Sequence, residues 1–350
     1  FPNSKVVRGD RFASVATGRL SDKQKGSLPR NGLQEHVFVL KSAIDDFKHT
    51  STTFFTTFVD IRDAYGSVDH QVMLDAMVRA GYPKHVIDVT ADVYDGSTFQ
   101  VQARGGLTPR ITRYRGIVQG CPWSAIAFIQ ALDPWIRWME QPFAANALPT
   151  PCQAYMDDVC ATAYEERDLR EMMTKTEDFL DYTGMAVKHQ KCATIHAQRS
   201  GAGWSARDST ERVDLTVQDA AIPKFGRETS YPYLGFQVNL TGSAAKQQAD
   251  DALEEFKATV EKIDISPLPV NKKIEAVNTM AASKLNFYFG NLVFTEKLLK
   301  QLEDTIVNFI RDLLKLNTSS TRAQIFVPRK QGGLGLLKPS TMYHAKRISF

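Results

Sequence analysis

The sequence predicts an α+β protein that ends in a helical domain. Two apolar segments rich in β-branched or aromatic residues, 53–61 and 152–164, have the composition of buried strands. Amphipathic helical patterns lie between and around them. From about residue 244 the strand patterns give way to three helical ones, at 246–263, 271–288 and 295–315. A chain of 350 residues is long enough for about two to three structural units with substantial cores.

Each element before residue 120 follows from a local pattern. Asn31 and Asp69 precede helical patterns as candidate caps, Gly81 ends the second of these helices, and Gly105-Gly106 forms the turn of a hairpin. The predicted order is helix, strand, helix, helix and hairpin, at 31–48, 53–61, 69–80, 84–94 and 97–116.

The segment 122–196 contains the most unusual pattern. An apolar helix is predicted at 122–139 and a charged amphipathic helix at 165–182. Between them, the two strands of 152–164 are interrupted by the acidic dipeptide Asp157-Asp158. After Gly184 the sequence AVKHQKCATIH resumes a strand-like pattern. Much later, QGGLGL at 331–336 lacks the lysine of a phosphate loop, which predicts a structural turn.

Composition excludes several classes of protein. With 43% hydrophobic and 23% charged residues, the chain is neither collagen-like nor wholly disordered. No uninterrupted apolar stretch approaches the roughly 18 residues of a membrane span, so no membrane partner is expected. Four cysteines without a CxxC pair indicate neither a disulfide framework nor a zinc site, and favour a reducing intracellular compartment. Because Phe1 is not methionine and no secretory signal follows, we expect the chain to be a piece of a longer protein.

The net charge of +4 conceals a polarised distribution. Residues 1–41, 100–120 and 313–350 are strongly basic, and the last two of these segments contain no acid. Residues 157–181 hold nine Asp or Glu against three basic residues. Basic flanks around an acidic centre suit a polyanion gripped about a metal-binding site. The alternative is that the basic residues only solvate helix faces.

Three acidic residues at strand ends are the candidate catalytic residues. Asp60 closes one apolar strand, and Asp157 with Asp158 lies between two others. If the sheet brings these strands side by side, the carboxylates face each other, and divalent cations would neutralise them. Two Mg²⁺ ions held by oxygen ligands catalyse phosphoryl transfer. This pattern of acids therefore favours nucleotide polymerisation as the reaction. The alternative is a solvated hairpin tip.

Several motifs occur in an order that resembles the reverse transcriptases of non-LTR, LINE-like retrotransposons of the site-specific type. YMDD at 155–158 resembles their active-site signature, FVDIRDAYGSV at 58–68 their first catalytic strand, and RGIVQGCPWS at 115–124 their nucleotide-contacting loop. GMAVKHQKC at 184–192 resembles the lysine-bearing loop and YPYLGF at 231–236 the primer grip. The resemblance implies a right-hand polymerase fold: partial fingers at 1–50, a palm at 51–240 with a fingers insertion at about 69–115, and a helical thumb at 244–350.

The resemblance also implies a role for individual residues. Asp60 and Asp157 would be the metal-bridging carboxylates, the Ile61 carbonyl a third oxygen and Asp158 an auxiliary acid. Lys191 would protonate the leaving pyrophosphate as a general acid. The implied substrate contacts are Tyr65, Gln119 and Gly120 for the dNTP, with Tyr65 as the steric gate; Tyr233, Leu234 and Gly235 for the primer; and Gln24, Gly26, Arg30, Pro122 and Ser124 for the template.

The leading interpretation is an RNA-directed DNA polymerase that uses two Mg²⁺ ions, with Mn²⁺ as an alternative, to extend a primer 3′-hydroxyl with dNTPs. The implied partners are an RNA template and a DNA primer or target DNA, as in target-primed reverse transcription, with an endonuclease module elsewhere in the full-length protein. Nuclear action would follow for a eukaryotic element. Two alternatives stay open: an inactive or domesticated nucleic-acid-binding polymerase fold, and an RNA-dependent RNA polymerase.

Overall fold

The computed structural model describes residues 16, 18–29, 31–49, 53–121, 123–141, 150–200, 205–208, 213–317 and 322–348. The chain divides into two compact units, Phe1–Leu234 (unit 1) and Gly235–Phe350 (unit 2). The sequence predicted the start of the helical part at about residue 244. No described helix combines the length and apolar character needed to cross a membrane.

Unit 1 mixes helices and strands. Its helices are α1 (Gly32–His49), α2 (Ala64–Ser67), α3 (His70–Arg79), α4 (Lys84–Tyr94), α5 (Ser124–Met139) and α6 (Glu166–Thr183). Its strands are β1 (Thr53–Val59), β2 (Thr98–Phe99), β3 (Gln102–Ala103), β4 (Gly106–Leu107), β5 (Ile111–Thr112), β6 (Cys152–Tyr155), β7 (Asp158–Ala163), β8 (Ala193–Ser200), β9 (Ser205–Asp208), β10 (Thr216–Val217), β11 (Ala220–Ala221), β12 (Lys224–Phe225) and β13 (Tyr231–Tyr233). The bounds of α1, α3, α4, α5 and α6 lie within two residues of the predicted helices, whereas the short helix α2 and the short strands β9 to β12 were not predicted.

The main sheet runs in the order β12-β8-β1-β7-β6, with β9 paired to β8. The central strand β1 is antiparallel to both neighbours, with Val59 opposite Val159 on β7 and Phe58 opposite Ala193 on β8. All but the first residue of β1 are buried, which explains its nearly continuous apolar and β-branched sequence. The strand therefore carries the chain directly to Asp60 between two partners.

The apolar helix α5 forms the centre of the core against the sheet. Trp135 is fully buried, its ring stacks on Phe179 of α6 at 5.5 Å, and its Nε1 donates to Thr176 Oγ1 at 3.2 Å. That bond satisfies the polar end of an otherwise apolar ring. The helix begins at Ser124 rather than at the predicted 122, and Pro122 lies outside the described residues.

The predicted hairpin of 97–116 is present as a thin ribbon. β2 pairs with β5 and β3 with β4, each strand being two residues long. Both faces of the ribbon are exposed, including the rings and branched side chains of Phe99, Leu107 and Ile111. The Arg113 guanidinium lies over the Phe99 ring, 5.1 Å from its centroid. The ribbon thus projects basic and apolar side chains into solvent.

The strand-like pattern of AVKHQKCATIH is only partly a strand. Val187 forms an isolated bridge to Ile61, a 3-10 turn follows at His189–Lys191, and β8 starts at Ala193. The turn closes because Lys191 N–H donates to the Lys188 carbonyl at 2.8 Å. The alternating sequence pattern did not predict this turn. The turn places the Lys191 side chain next to the end of β1.

Unit 2 starts with the strand β14 (Phe236–Val238) and is otherwise helical. Its helices are α7 (Ser243–Asp264), α8 (Val270–Ala276), α9 (Ser283–Phe289), α10 (Glu296–Leu314), α11 (Ala323–Phe326) and α12 (Pro339–Ile348), with a π-helical segment at Val277–Ala282 between α8 and α9. The single helix predicted at 271–288 is therefore three segments, and α11 and α12 were not predicted. In QGGLGL, a Cβ on Gly333 would lie 2.0 Å from the Val327 carbonyl oxygen, so close backbone packing requires glycine there.

Candidate active site

The register of the sheet brings the three predicted acids to one end of unit 1. Asp60 follows β1 directly, one residue beyond the Val59–Val159 pair. Asp157 and Asp158 lie in the tight turn between β6 and β7, where Tyr155 pairs with Asp158. Because β7 is the neighbour of β1, the turn lies beside Asp60, as the sequence predicted for strands lying side by side.

The electrostatics of the acids reflect this proximity. Burial raises the pKa of Asp157, and the negative charge of Asp60 raises it further. Burial, followed by the charges of Asp157 and Asp60, raises the pKa of Asp158 to about 6. Lys191 opposes both shifts. The three carboxylates therefore form one repelling cluster rather than independent surface acids.

Lys191 reaches this cluster from the other neighbour of β1. Its Nζ lies 3.4 Å from Asp60 Oδ2, and its side chain is 58% exposed. The backbone of Asp60 is held by the same loop, since its carbonyl accepts from Lys188 N–H at 2.8 Å and its N–H lies 3.5 Å from Cys192 Sγ. Asp60 is thus fixed on one side by the lysine loop and faces the acidic turn on the other.

Tyr231 is a site residue that the sequence analysis missed. Its hydroxyl donates to the Lys191 carbonyl at 2.8 Å, and its ring stacks on Phe58 at 4.0 Å. Burial raises its pKa strongly, and Asp158 adds to the effect. The available signal was its place in YPYLGF, where only the following residues were singled out. Tyr231 supports the loop that carries Lys191.

The donors near the acids suit a hard divalent cation in kind. Ile61 and Val187 form a bridge flanked by the bonds Arg62 N–H to Ala186 and Lys188 N–H to Asp60, so the Ile61 carbonyl points away from Val187. Carboxylates and backbone carbonyls are oxygen ligands of the kind that Mg²⁺ binds. In the described part of the chain, no three His, Cys, Asp or Glu side chains already form a group that could hold a metal ion. A bound cation would neutralise the negative charges of these acids and so remove their mutual repulsion.

The turn that carries Asp157 and Asp158 contains a strained residue. Met156 has φ +59, and its N–H and carbonyl bond to the side chain of Gln24 at 3.0 and 3.1 Å. Gln24 is fully buried, and Gly26 packs directly against Met156. The prediction that Gln24 contacts the template is therefore corrected, because its amide has no exposed surface and is already bonded. Gly26, which was also predicted to contact the template, packs against the same turn at Met156.

Tyr65 and the loop 115–121 lie next to the acids. The Tyr65 ring stacks on Phe128 at 4.7 Å and is only partly buried, while its carbonyl accepts from Ile117 N–H at 2.8 Å. Burial raises the pKa of Tyr65, and Asp157 contributes to the rise. Gln119 and Gly120 are exposed, and Gly120 adopts φ +86, which favours glycine. These residues are free to contact a substrate.

Other predicted contacts have different surroundings. Ser124 is 1% exposed and its hydroxyl lies 3.2 Å from the Tyr94 hydroxyl, so its predicted template contact is corrected to a core hydrogen bond. Arg30 and Pro122 lie outside the described residues. Arg115 belongs to a basic segment, yet its guanidinium donates to the carbonyl of Thr183 and stabilises the end of α6.

The predicted primer-grip residues lie at the end of unit 1 and the start of unit 2. The Tyr233 side chain is buried and its ring lies 5.2 Å from that of Phe58. Leu234 has φ +49. In unit 2, Gly235 has φ +80, and a Cβ there would lie 2.9 Å from the Phe287 ring. The Tyr233 side chain therefore belongs to the core.

Similar proteins point to one family. The family model described as reverse transcriptase (RNA-dependent DNA polymerase) matches residues 11–238. The retrovirus-related Pol polyprotein from type-2 retrotransposable element R2DM of Drosophila melanogaster is 24% identical over 318 residues, which cover 90% of this chain and 29% of that protein. The Pol polyprotein from type-1 retrotransposable element R2 of Bradysia coprophila is 25% identical over 332 residues, which cover 93% of this chain and 37% of that protein. The chain thus spans well under half of either relative.

Among solved structures, telomerase from Candida albicans in complex with a fragment of telomeric RNA aligns with a TM-score of 0.49 and 10% identity, over 89% of this chain and 57% of that one. The family match and the R2 relatives confirm the predicted resemblance to non-LTR retrotransposon enzymes and the α+β fold class of the right-hand polymerases. The match covers more than half of the chain and includes Asp60, Asp157, Asp158 and Lys191. The chain belongs to the reverse transcriptase (RNA-dependent DNA polymerase) family.

Proposed function

We propose that this chain carries the RNA-directed DNA polymerase reaction, in which a primer 3′-hydroxyl attacks the α-phosphorus of a dNTP. The observation that supports it best is the meeting of Asp60, Asp157 and Asp158 with Lys191 at one end of the sheet, in a chain of this family. Clustered carboxylates with raised pKa values are typical of functional sites. A passive nucleic-acid binder would gain nothing from three acids where phosphate must approach.

Two Mg²⁺ ions are the cofactors that we propose, with Mn²⁺ as an alternative. Asp60, Asp157 and the Ile61 carbonyl would hold them, with Asp158 as an auxiliary acid. When bound, such ions activate the attacking hydroxyl and offset charge on the leaving oxygen. The chain's own part is to hold these oxygens in place through the backbone bonds of Asp60 and the turn at Met156.

Lys191 is proposed to hold the proton that the departing pyrophosphate accepts. Its ammonium lies beside Asp60, and its side chain is largely exposed toward solvent from which a substrate would enter. Tyr231 keeps the backbone of Lys191 in place. The steric-gate role of Tyr65 is supported by its stacking on Phe128, which fixes a ring close to Asp157. Gln119 and Gly120 are proposed to contact the incoming nucleotide, and Tyr233, Leu234 and Gly235 the primer.

The nucleic-acid partners that we propose are an RNA template and a DNA primer. The projecting ribbon of β2–β5 supports this, because it exposes Arg104 and Arg110 and has no acidic residue. Arginines bind phosphate, and exposed rings such as Tyr114, which is 82% exposed, stack on bases. Unit 1 is proposed to act as fingers and palm, and unit 2 as thumb.

The biological reaction that we propose is target-primed reverse transcription, with a nicked target DNA as primer and the element's own RNA as template. The R2 elements from which the relatives come are retrotransposable. An endonuclease module is proposed to lie elsewhere in the longer protein, and nuclear action follows for a eukaryotic element.

Primer extension tests the polymerase proposal. The chain, an Asp157→Asn variant and an Asp92→Asn control on an exposed helix face are compared on a primed RNA template with Mg²⁺ and either dNTPs or rNTPs. We expect extension with dNTPs only, lost in Asp157→Asn and kept in Asp92→Asn. Extension that survives Asp157→Asn would overturn the site. Efficient use of rNTPs would favour an RNA polymerase, and intact template binding without extension would favour the inactive binding fold.

A further inference from the structure

The tight turn that carries Asp157 is conformationally costly. Its first central residue, Met156, has φ +59, a region that non-glycine residues seldom occupy. Two-residue hairpin turns with positive φ at this position favour glycine for the same reason. Met156 nevertheless adopts it, so its surroundings must supply the stabilisation that the residue itself lacks.

A single side-chain amide supplies that stabilisation. Gln24 Oε1 accepts from Met156 N–H at 3.0 Å, and Gln24 Nε2 donates to the Met156 carbonyl at 3.1 Å. Both backbone groups of Met156 are thereby bonded to one amide, as a neighbouring strand would bond them. Since Gln24 has no exposed surface, water cannot easily replace these bonds.

The backbone around Gln24 is itself fixed to the edge strand of the sheet. Lys25 N–H donates to the Ala154 carbonyl at 3.0 Å and Ala154 N–H donates to the Lys23 carbonyl at 2.9 Å, so Gln24 and Ala154 form a parallel bridge. Gly26 N–H donates to the same Gln24 Oε1 at 2.9 Å. A Cβ on Gly26 would lie 2.4 Å from the Met156 nitrogen, so glycine permits the close approach. The amide is therefore held as firmly as the turn that it holds.

We propose that Gln24 is a positioning residue for the reaction: it holds Met156 in its strained conformation and thereby directs Asp157 and Asp158 toward Asp60. The link to catalysis rests on the proposed polymerase function, whereas the clamp itself is a structural claim. A buried glutamine costs desolvation that a leucine or methionine would not, and a polar group that only fills space has no compensating role. Here both ends of the amide are used on one strained residue two positions from Asp158.

The test compares Gln24→Met with Gln130→Met. Each variant replaces a buried glutamine by a methionine of similar volume, but Gln130 is in α5, where its Nε2 donates to the Ala76 carbonyl at 3.4 Å rather than to the turn. Hydrogen–deuterium exchange of the peptide 155–158 reports the clamp without any need for activity. We expect exchange there to accelerate by about tenfold or more in Gln24→Met, because the bond that protects Met156 N–H and the bond to its carbonyl are both lost, and to stay unchanged in Gln130→Met. Unchanged exchange in Gln24→Met would overturn the proposal.

Single-turnover primer extension reports the consequence for catalysis. Misplaced acids should lower the maximal rate of Gln24→Met about 10- to 100-fold while the dNTP KM changes little, and Gln130→Met should keep the wild-type rate. Replacing Met156 by glycine then isolates the mechanism, because glycine accepts positive φ without strain. We expect Gln24→Met to cost several-fold less in rate in a Met156→Gly background than in the wild type.

An equal cost in both backgrounds would show that Gln24 acts as general core packing and would overturn the positioning role. Accelerated exchange in Gln24→Met, together with a wild-type chain that extends no primer, would leave the clamp standing and refute the polymerase function instead.

Discussion

Replacing Lys191 by methionine should separate catalysis from folding. The Lys191 ammonium lies 3.4 Å from Asp60 Oδ2; the lysine side chain is 58% exposed and the Asp60 side chain 16%, so solvent screens the pair in part and its contribution to stability is about 1 kcal/mol. Loss of a general acid lowers rates by about 10²- to 10⁴-fold, which corresponds to roughly 3 to 5 kcal/mol in the barrier. The expected loss of rate is therefore larger than any loss of stability that this pair can cause.

Rapid-quench measurement of single-nucleotide incorporation, with saturating dNTP and preformed primer-template complex, gives the rate of the chemical step. Urea unfolding of the same preparations gives the free energy of unfolding. We expect Lys191→Met to unfold within about 1 kcal/mol of the wild type and to incorporate at least about 100-fold more slowly.

Lys191→Arg is the matched control for charge. An arginine keeps a positive charge beside Asp60 but does not release its proton at any working pH. Its rate should therefore stay close to that of Lys191→Met, with dNTP binding closer to that of the wild type. A Lys191→Arg variant at full rate would mean that Lys191 contributes charge alone, and a Lys191→Met variant within about threefold of the wild type would exclude any role in proton transfer.

Three further outcomes follow from the same geometry. Tyr65→Ala should narrow the preference for dNTPs over rNTPs by about tenfold or more in competitive incorporation, because the ring held by Phe128 is removed. Replacing Arg104 and Arg110 together by alanine should reduce the slope of log affinity against log salt by about one unit per arginine in template-binding titrations, if each contacts a phosphate. Burial lowers the pKa of His196 from 6.5 to about 4, so the unfolded chain takes up a proton that the folded chain refuses, and stability is lost as pH falls from 6.5 towards 4. In that window the free energy of unfolding should fall by up to about 1.4 kcal/mol per pH unit more in the wild type than in His196→Gln, as measured by urea titrations at several pH values.

The acids were predictable because they break a strong pattern. A carboxylate that ends an apolar strand, and a pair of carboxylates inside an apolar hairpin, are too costly to be ordinary core, so the pattern singles out Asp60, Asp157 and Asp158, either as a site or as a solvated hairpin tip. Pairing of β1 with β7 then decides that they meet, and only the structure supplies that pairing. Lys191 gave no such signal, since a lysine after a strand is usually a solvated side chain, and its position was inferred from family resemblance.

The roles of Gln24 and Ser124 were misjudged for a common reason. Both are polar residues near functional motifs, and resemblance transfers positions along a chain without transferring the direction of a side chain. Gln24 turns inward to Met156 and Ser124 to Tyr94, because each completes a hydrogen bond in an interior that would otherwise leave a polar group unsatisfied. The π-helical segment Val277–Ala282 was not predicted for a different reason, because one extra residue in a turn barely changes the helical periodicity of the sequence.

The register of β1 links the aromatic packing of unit 1 to its acidic cluster. Phe58 and Asp60 are two residues apart and so project from the same face of the strand. The Phe58 ring stacks on Tyr231, and the Tyr231 hydroxyl bonds to the carbonyl of Lys191, whose ammonium returns to Asp60. A slip of one residue would move Asp60 to the opposite face and take Phe58 off Tyr231 at the same time. The energy of burying Phe58 therefore also maintains the contact between Asp60 and Lys191, so the apolar core selects the register in which the candidate site is assembled.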